Sequence, residues 1–262
     1  MKKPATHLCL TAVSFITALI FFTLPSCGSA GGQGAATSPS LPPPSAPPQI
    51  FKSYSKDRDA TMADGWARGM DMSGVAFDDD RTATLITPRH VVMAKHFSRA
   101  PGAAVIFHDR SGDRIERKLI ALSQAAGDVM VGLLDAPVPA NFHPYPLPSP
   151  SSSTAALLDR HVIVTDQERC LFIHRIAIIE AGVIAFKQDE SKLHGWGKNL
   201  IVGDSGNPSF VISGNQLVLV ETHTNGGAGS GPFYGDPTVQ ASVRAAVATL
   251  DPSFQIKTVS LK

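Results

Sequence analysis

The sequence predicts an all-β fold that ends in one short α-helix. Three observations carry that prediction. Short apolar runs recur from about residue 70 and are separated by turn signals. The chain holds 22 glycines and 20 prolines, the residues that many-turned sheet proteins use, against only 7% aromatic residues. Only the last apolar pattern has helical spacing. In chain order, residues 72–77 and 82–86 flank Asp78-Asp79-Asp80-Arg81 and read as a hairpin with a solvated turn. Segments 91–94, 103–107, 114–122 and 129–134 read as further strands. Residues 137–154, rich in proline and serine, read as a connector. The rhythm resumes at 161–165, 170–179, 182–186, 200–203, 209–212 and 217–222. Then Val239, Val243, Val247 and Leu250 fall on one face of a helix over about 237–250. Asp236 is its N-cap and Pro237 its first residue, and the single apolar stripe implies docking on the β body.

A length of 262 residues with 43% hydrophobic content suffices for one sizeable domain or two small barrels sharing a core. Lys and Arg total 23 and Asp and Glu 22, so the formal charge is +1 and no basic block offers a nucleic-acid footprint. The amino-terminal residues read as an export signal: Lys2 and Lys3 precede an apolar stretch over 8–24. That stretch is borderline for a membrane-spanning helix, which needs about 20 residues. Leu24-Pro25-Ser26-Cys27-Gly28 resembles a bacterial lipobox. The resemblance implies a signal over 1–26, cleavage before Cys27 and a lipid on its sulfur; simple secretion is the alternative. Pro25 departs from the usual residue there. Residues 27–50, rich in Gly, Ser and Pro, then form a tether that holds the domain away from a membrane. Cys170 is the only cysteine beyond that region, so no internal disulfide is available, and its apolar setting predicts a buried inert thiol.

The motif with chemical content is Gly203-Asp204-Ser205-Gly206-Asn207-Pro208, directly after the apolar run Leu200-Ile201-Val202. A serine hydroxyl attacks a carbonyl only when a base takes its proton and donors hold the oxyanion. Flanking glycines let the backbone bend so that amides converge on that oxygen. Two histidines upstream are candidate bases: Val91-Val92-Met93-Ala94-Lys95-His96 ends on one, and His90 precedes the run. Downstream, Gly127-Asp128-Val129-Met130-Val131 opens an apolar strand with a carboxylate.

These three stretches resemble the motifs of chymotrypsin/trypsin-like serine peptidases, in the order His, Asp, Ser that separates them from subtilisins and α/β-hydrolases. The resemblance spans about residues 70–250. It implies two packed antiparallel β-barrels, about 70–136 and 159–235, joined by a connector over 137–158, within a peptidase domain over 51–262. His96 becomes the general base, Asp128 its orienting acid and Ser205 the nucleophile of a serine endopeptidase. His90 falls at the turn before the strand and stays structural. Lys95 stands where the family has a small residue. The amides of Gly203 and Ser205 form the oxyanion hole. Asn199 falls at the floor of the specificity pocket, with Thr222 and His223 on its wall. A neutral amide at 199 gives no reason for cleavage after Lys or Arg, and the His223 wall is loosely similar to that of glutamate-specific bacterial peptidases. No cofactor or metal is implied; the partners are a polypeptide substrate and, through the lipid, the envelope membrane of a bacterium. The reading also implies no zymogen switch of the trypsin kind, so Asp204 is expected to find its partner in Lys198 or Arg68. Activity is expected to rise with pH as the base loses its proton. Two other functions fit the same residues: a catalytically silent peptide-binding module and an ester-preferring acyl hydrolase.

Overall fold

A computed structural model describes residues 48–188 and 196–261. Cys27, the export signal and the tether up to residue 47 lie outside the described residues. No helix among the described residues is long and apolar enough to cross a membrane.

The chain is mostly β. A short hairpin, β1 (Phe51–Ser53) and β2 (Thr61–Met62), leads into the first six-stranded sheet. That sheet contains β3 (Val75–Ala76), β4 (Ala83–Thr87), β5 (His90–Ala94), β6 (Ala104–His108), β7 (Arg114–Gln124) and β8 (Val129–Leu134). Its order is β3-β4-β5-β8-β7-β6, every pair antiparallel. A small strand β9 (Leu147–Pro148) follows. The second sheet contains β10 (His161–Thr165), β11 (Leu171–Glu180), β12 (Val183–Lys187), β13 (Pro208–Ser213), β14 (Gln216–Thr222) and β15 (Ser230–Pro232). Its order is β14-β13-β10-β11-β12-β15, again antiparallel. Helix α1 (Pro237–Leu250) and β16 (Thr258–Val259), which pairs parallel with β9, complete the chain. One six-stranded sheet is a nearly closed barrel and the other a half-barrel.

Three apolar cores explain why the strand sequences read as they do. Leu85, Val91, Met93 and Phe107 fill the inside of the first sheet, and Val162, Val164, Phe172 and Val218 the inside of the second. Val92, Val129, Val131, Phe210 and Leu219 form a third core, shared by both sheets and α1. Strand β5 is therefore buried on both faces and appears as an unbroken apolar run rather than an alternation. Helix α1 adds Val239, Val243, Ala246 and Val247 to the shared core. Its start follows the predicted cap: Asp236 Oδ1 accepts from the amides of Thr238 at 2.9 Å and Val239 at 3.0 Å.

Several expectations need correction. The last three residues assigned to the tether belong to the fold. Leu171 N donates to Pro48 O and Ile50 N to Arg169 O, each at 2.9 Å. The Asp78–Asp80 turn is not wholly solvated. The Asp78 carboxylate pairs with Arg99 at 2.9 Å, and the two side chains are only 6% and 1% exposed. Arg99 also donates to Arg81 O at 2.6 Å and Ala104 O at 2.9 Å, and to Ala76 O at 3.3 Å. One guanidinium thus bridges the edge strands β3 and β6. Residues 200–203 form no strand either: Leu200 makes an isolated bridge to Gly227, and the chain then turns. His90 opens β5 instead of preceding it.

Candidate active site

The pairing of β5 with β8 builds half of the site. Ala94 stands opposite Val129, so the residues just beyond them, Lys95–Phe97 in a 3-10 turn and Asp128, are neighbours. Lys95 N donates to Asp128 O at 2.9 Å. Asp128 Oδ1 accepts from the His96 amide at 2.9 Å, while Oδ2 accepts from the ring Nδ1 of the same residue through a short hydrogen bond. Both carboxylate oxygens thus act on one histidine. With the proton held at Nδ1, Nε2 is left as an acceptor. It faces Ser205 Oγ at 3.0 Å. The His96 side chain is 49% exposed, so the array lies open to solvent. On the other side of Asp128, Ser242 of α1 accepts from Ala126 N at 2.8 Å and ties the carboxylate's loop to the helix.

The other half is a loop, not a strand. Gly203 and Gly206 have φ of 101° and 86°, a region that favours glycine. A Cβ on Gly206 would also crowd Ala94 N and Thr82 O at 3.3 Å, so glycine eases the loop's approach to the first sheet. Asn207 locks the approach. Its Oδ1 accepts from Thr82 Oγ1 at 3.0 Å and its Nδ2 donates to Asp204 O at 3.1 Å. The amides of Gly203 and Ser205 donate to no group among the described residues.

Asp204 is buried and held mainly by backbone donors. Gln167 N reaches its Oδ1 at 3.1 Å and Ile201 N its Oδ2 at 2.8 Å. Lys198, one of the two expected cations, stands 4.0 Å away and forms its close pair with buried Asp166. Arg68 makes no ion pair with Asp204 among the described residues. Burial pushes the Asp166 carboxyl up, against Lys198 and the Cys170 amide, which hold it down.

A groove of about 570 Å³ adjoins Ser205. Its walls include Leu200, Ile201, Val202, His223 and Asn225, and Val202 is almost fully exposed at the rim. Of the expected pocket residues, only His223 lines it. Gly206 N donates to His223 O at 2.8 Å and His223 N to Asn207 O at 3.0 Å, which sets 223 beside the serine loop. Thr222 turns away, its hydroxyl 2.8 Å from Tyr234 Oη in the interior. Asn199 is exposed and accepts from Gln188 Nε2 at 2.8 Å.

Sequence reasoning missed four site residues. Asp166 and Gln167 sit in a polar run between two strands that looks like any turn. Asn207 stands in the serine motif, but nothing there signals its bond to Thr82 Oγ1. Glu221, a carboxylate inside the apolar run of β14, did give a signal. It lies 2.7 Å from His223 Nδ1 with both side chains fully buried, although the pair lacks hydrogen-bond alignment.

Three other titratable groups have structural roles. His90 is buried against Thr87 Oγ1 at 2.8 Å, and burial lowers it to about 4. His174 is likewise lowered to about 4 by burial. It donates from Nδ1 to Ala228 O at 2.7 Å and accepts at Nε2 from Lys198 N at 3.1 Å. Cys170 is buried and its thiol is raised to about 11, first by burial and then by Asp166. Asp166, Glu168 and Cys170 converge within 4.8 Å. The Asp166 oxygens already serve Lys198 and Cys170 N, so the cluster carries no metal argument.

Compared with known proteins, the chain matches no protein-family model and no curated protein sequence.

Proposed function

We propose that the chain is a serine endopeptidase of the chymotrypsin-like kind, its two sheets the two barrels of that fold. One observation carries the reading: the His96 ring lies between Asp128 and Ser205, with one ring nitrogen on each. A binding module has no need of that relay. The proton of Ser205 passes to His96 Nε2 as Oγ attacks the scissile carbonyl. Asp128 keeps the proton at Nδ1 and stabilises the imidazolium. The free amides of Gly203 and Ser205 receive the oxyanion. His96 then protonates the leaving amine. A water, deprotonated at the same nitrogen, releases the acyl group from Ser205.

The groove lined by Ile201, Val202 and His223 is the proposed seat of the side chain before the cut. The exported location and the lipid on Cys27 are part of the same proposal, and mass spectrometry of the membrane-extracted protein tests them.

The reaction itself is tested by incubating the purified full chain with an unfolded polypeptide and, separately, with a simple ester. An endopeptidase yields new internal amino termini, absent in Ser205→Ala. Ester turnover without peptide cleavage favours the acyl hydrolase, and neither activity favours the binding module.

A further inference from the structure

The loop that presents Ser205 has a feature that the proton relay does not use. The Val202–Gly203 peptide is trans, as are all described peptides, so its C=O and N–H point to opposite sides. Its carbonyl side is occupied: Val202 O accepts from the side-chain amide of Gln167, Nε2 at 3.3 Å. Gln167 also lies flat against Gly203, where a Cβ would come within 2.3 Å of its Oε1. The opposite side of the peptide carries the Gly203 N–H, which donates to nothing among the described residues.

We infer that Gln167 is a positioning residue. By pinning Val202 O it fixes the Val202–Gly203 peptide, and with it aims the Gly203 N–H at the developing oxyanion. This rests on the peptidase reading proposed above. A peptide between exposed Val202 and a half-buried, positive-φ glycine has little else to stop it from flipping, and a flipped peptide presents an oxygen where a donor is needed.

The loop that carries Gln167 is itself anchored on three sides. Its backbone amide donates to Asp204 Oδ1 at 3.1 Å, so one residue holds the serine loop at two points. Its neighbour Asp166 is clamped by Lys198 and accepts from Cys170 N at 2.8 Å. The amino-terminal strap pairs with the far side of the loop: Gln49 bridges Cys170, Ile50 N donates to Arg169 O, and Pro48 O accepts from Leu171 N. The Arg169 guanidinium is 4.2 Å from the Tyr54 ring centroid of the same strap. The donor is therefore set by internal pairing as the chain folds.

Gln167→Glu and Gln167→Ala in the full chain test this. The first keeps the size of the side chain and replaces the donor with an acceptor; the second removes both. The side chain is half-exposed, and melting curves check that each variant folds. Deleting an oxyanion donor costs on the order of a hundredfold, and a peptide that flips only part of the time costs less, so kcat should fall about tenfold in both variants. KM should stay within about twofold, because the interaction is made only in the transition state. Affinity for a peptidyl boronic acid, whose tetrahedral adduct places an oxygen in the same position, should fall in parallel with kcat. Affinity for the amine-side product peptide, which has no oxygen at that position, should not change. Wild-type kcat in Gln167→Glu overturns the inference, as does a rise in KM with kcat unchanged. An inactive wild-type chain fails the peptidase reading instead, before any variant is compared.

Discussion

The two halves of the site are held by different physics. His96 and Asp128 leave the ends of β5 and β8, strands whose registry is fixed by Val91, Val92, Val129 and Val131 in two apolar cores. Ser205 leaves a glycine loop fixed by polar groups: Asp204 on two backbone amides, Asn207 on Thr82, Gln167 on Val202 O. The first arrangement tolerates apolar substitutions that preserve volume. The second is sensitive to the loss of a donor or acceptor, since buried Asp204 and Asn207 are then left without a bond. In the proposed relay, the base is positioned by a hydrophobic core, while the serine and its neighbouring amides are positioned by hydrogen bonds and glycine.

The largest expected effect lies where the halves meet. His96→Ala should lower peptide turnover by about 10⁴-fold or more, and Asp128→Asn by about 10⁴-fold, because the histidine tautomer is then no longer held. Unfolding midpoints should change little in the histidine variant, whose ring is half-exposed. Parallel turnover and melting measurements on both variants check this. Asp128→Asn retaining near-wild-type turnover would remove the first half from the chemistry.

A second expectation concerns stability within the first half alone. Arg99→Met leaves the Asp78 carboxylate buried without its partner and frees three backbone carbonyls along β3, its turn and β6. Urea unfolding should show a loss of about 3–5 kcal/mol, as for other broken buried pairs. Adding Asp78→Asn should recover part of it. Turnover by the folded fraction should stay close to wild type, since Arg99 touches no site residue.

The legibility of the chain divides along the same line. Strands β8 and β10 and helix α1 fall at their predicted bounds because burial writes apolar runs or a helical stripe directly into the sequence. The strands of two or three residues are too short for any periodicity. Ser230–Pro232 even has turn composition, yet it pairs with β12. Among site residues, His96, Asp128 and Ser205 each stand beside a recognisable local pattern. Asn199 and Thr222 lie off the groove beside Ser205, because position along the chain relative to the serine fixes no loop register. The bonds between His223 and the 206–207 backbone fix that register instead. Lys198, six positions before Asp204, was legible as a nearby cation, whereas Gln167 reaches Asp204 from 37 positions away and no local signal announces it or its neighbour Asp166.

The smallest expected effect is a pH dependence of stability in both halves. His90 and His174 drop from 6.5 to about 4 on folding, each because burial disfavours the charged ring. The unfolded chain therefore takes up protons below about 6.5, where the folded chain does not. Stability should be flat with respect to these groups above that pH and decline as pH falls from 6.5 towards 4. His174→Gln, which preserves one donor and one acceptor, should flatten part of the decline in thermal melts. An unchanged slope in that variant would show that His174 is not the group responsible.

The most direct measurement for the whole account is fluorophosphonate labelling of the full chain, read by mass spectrometry. One adduct on Ser205 is expected in the wild type, formed far more slowly in His96→Ala and absent in Ser205→Ala. A wild-type chain that is never labelled, or is labelled at another residue, contradicts it.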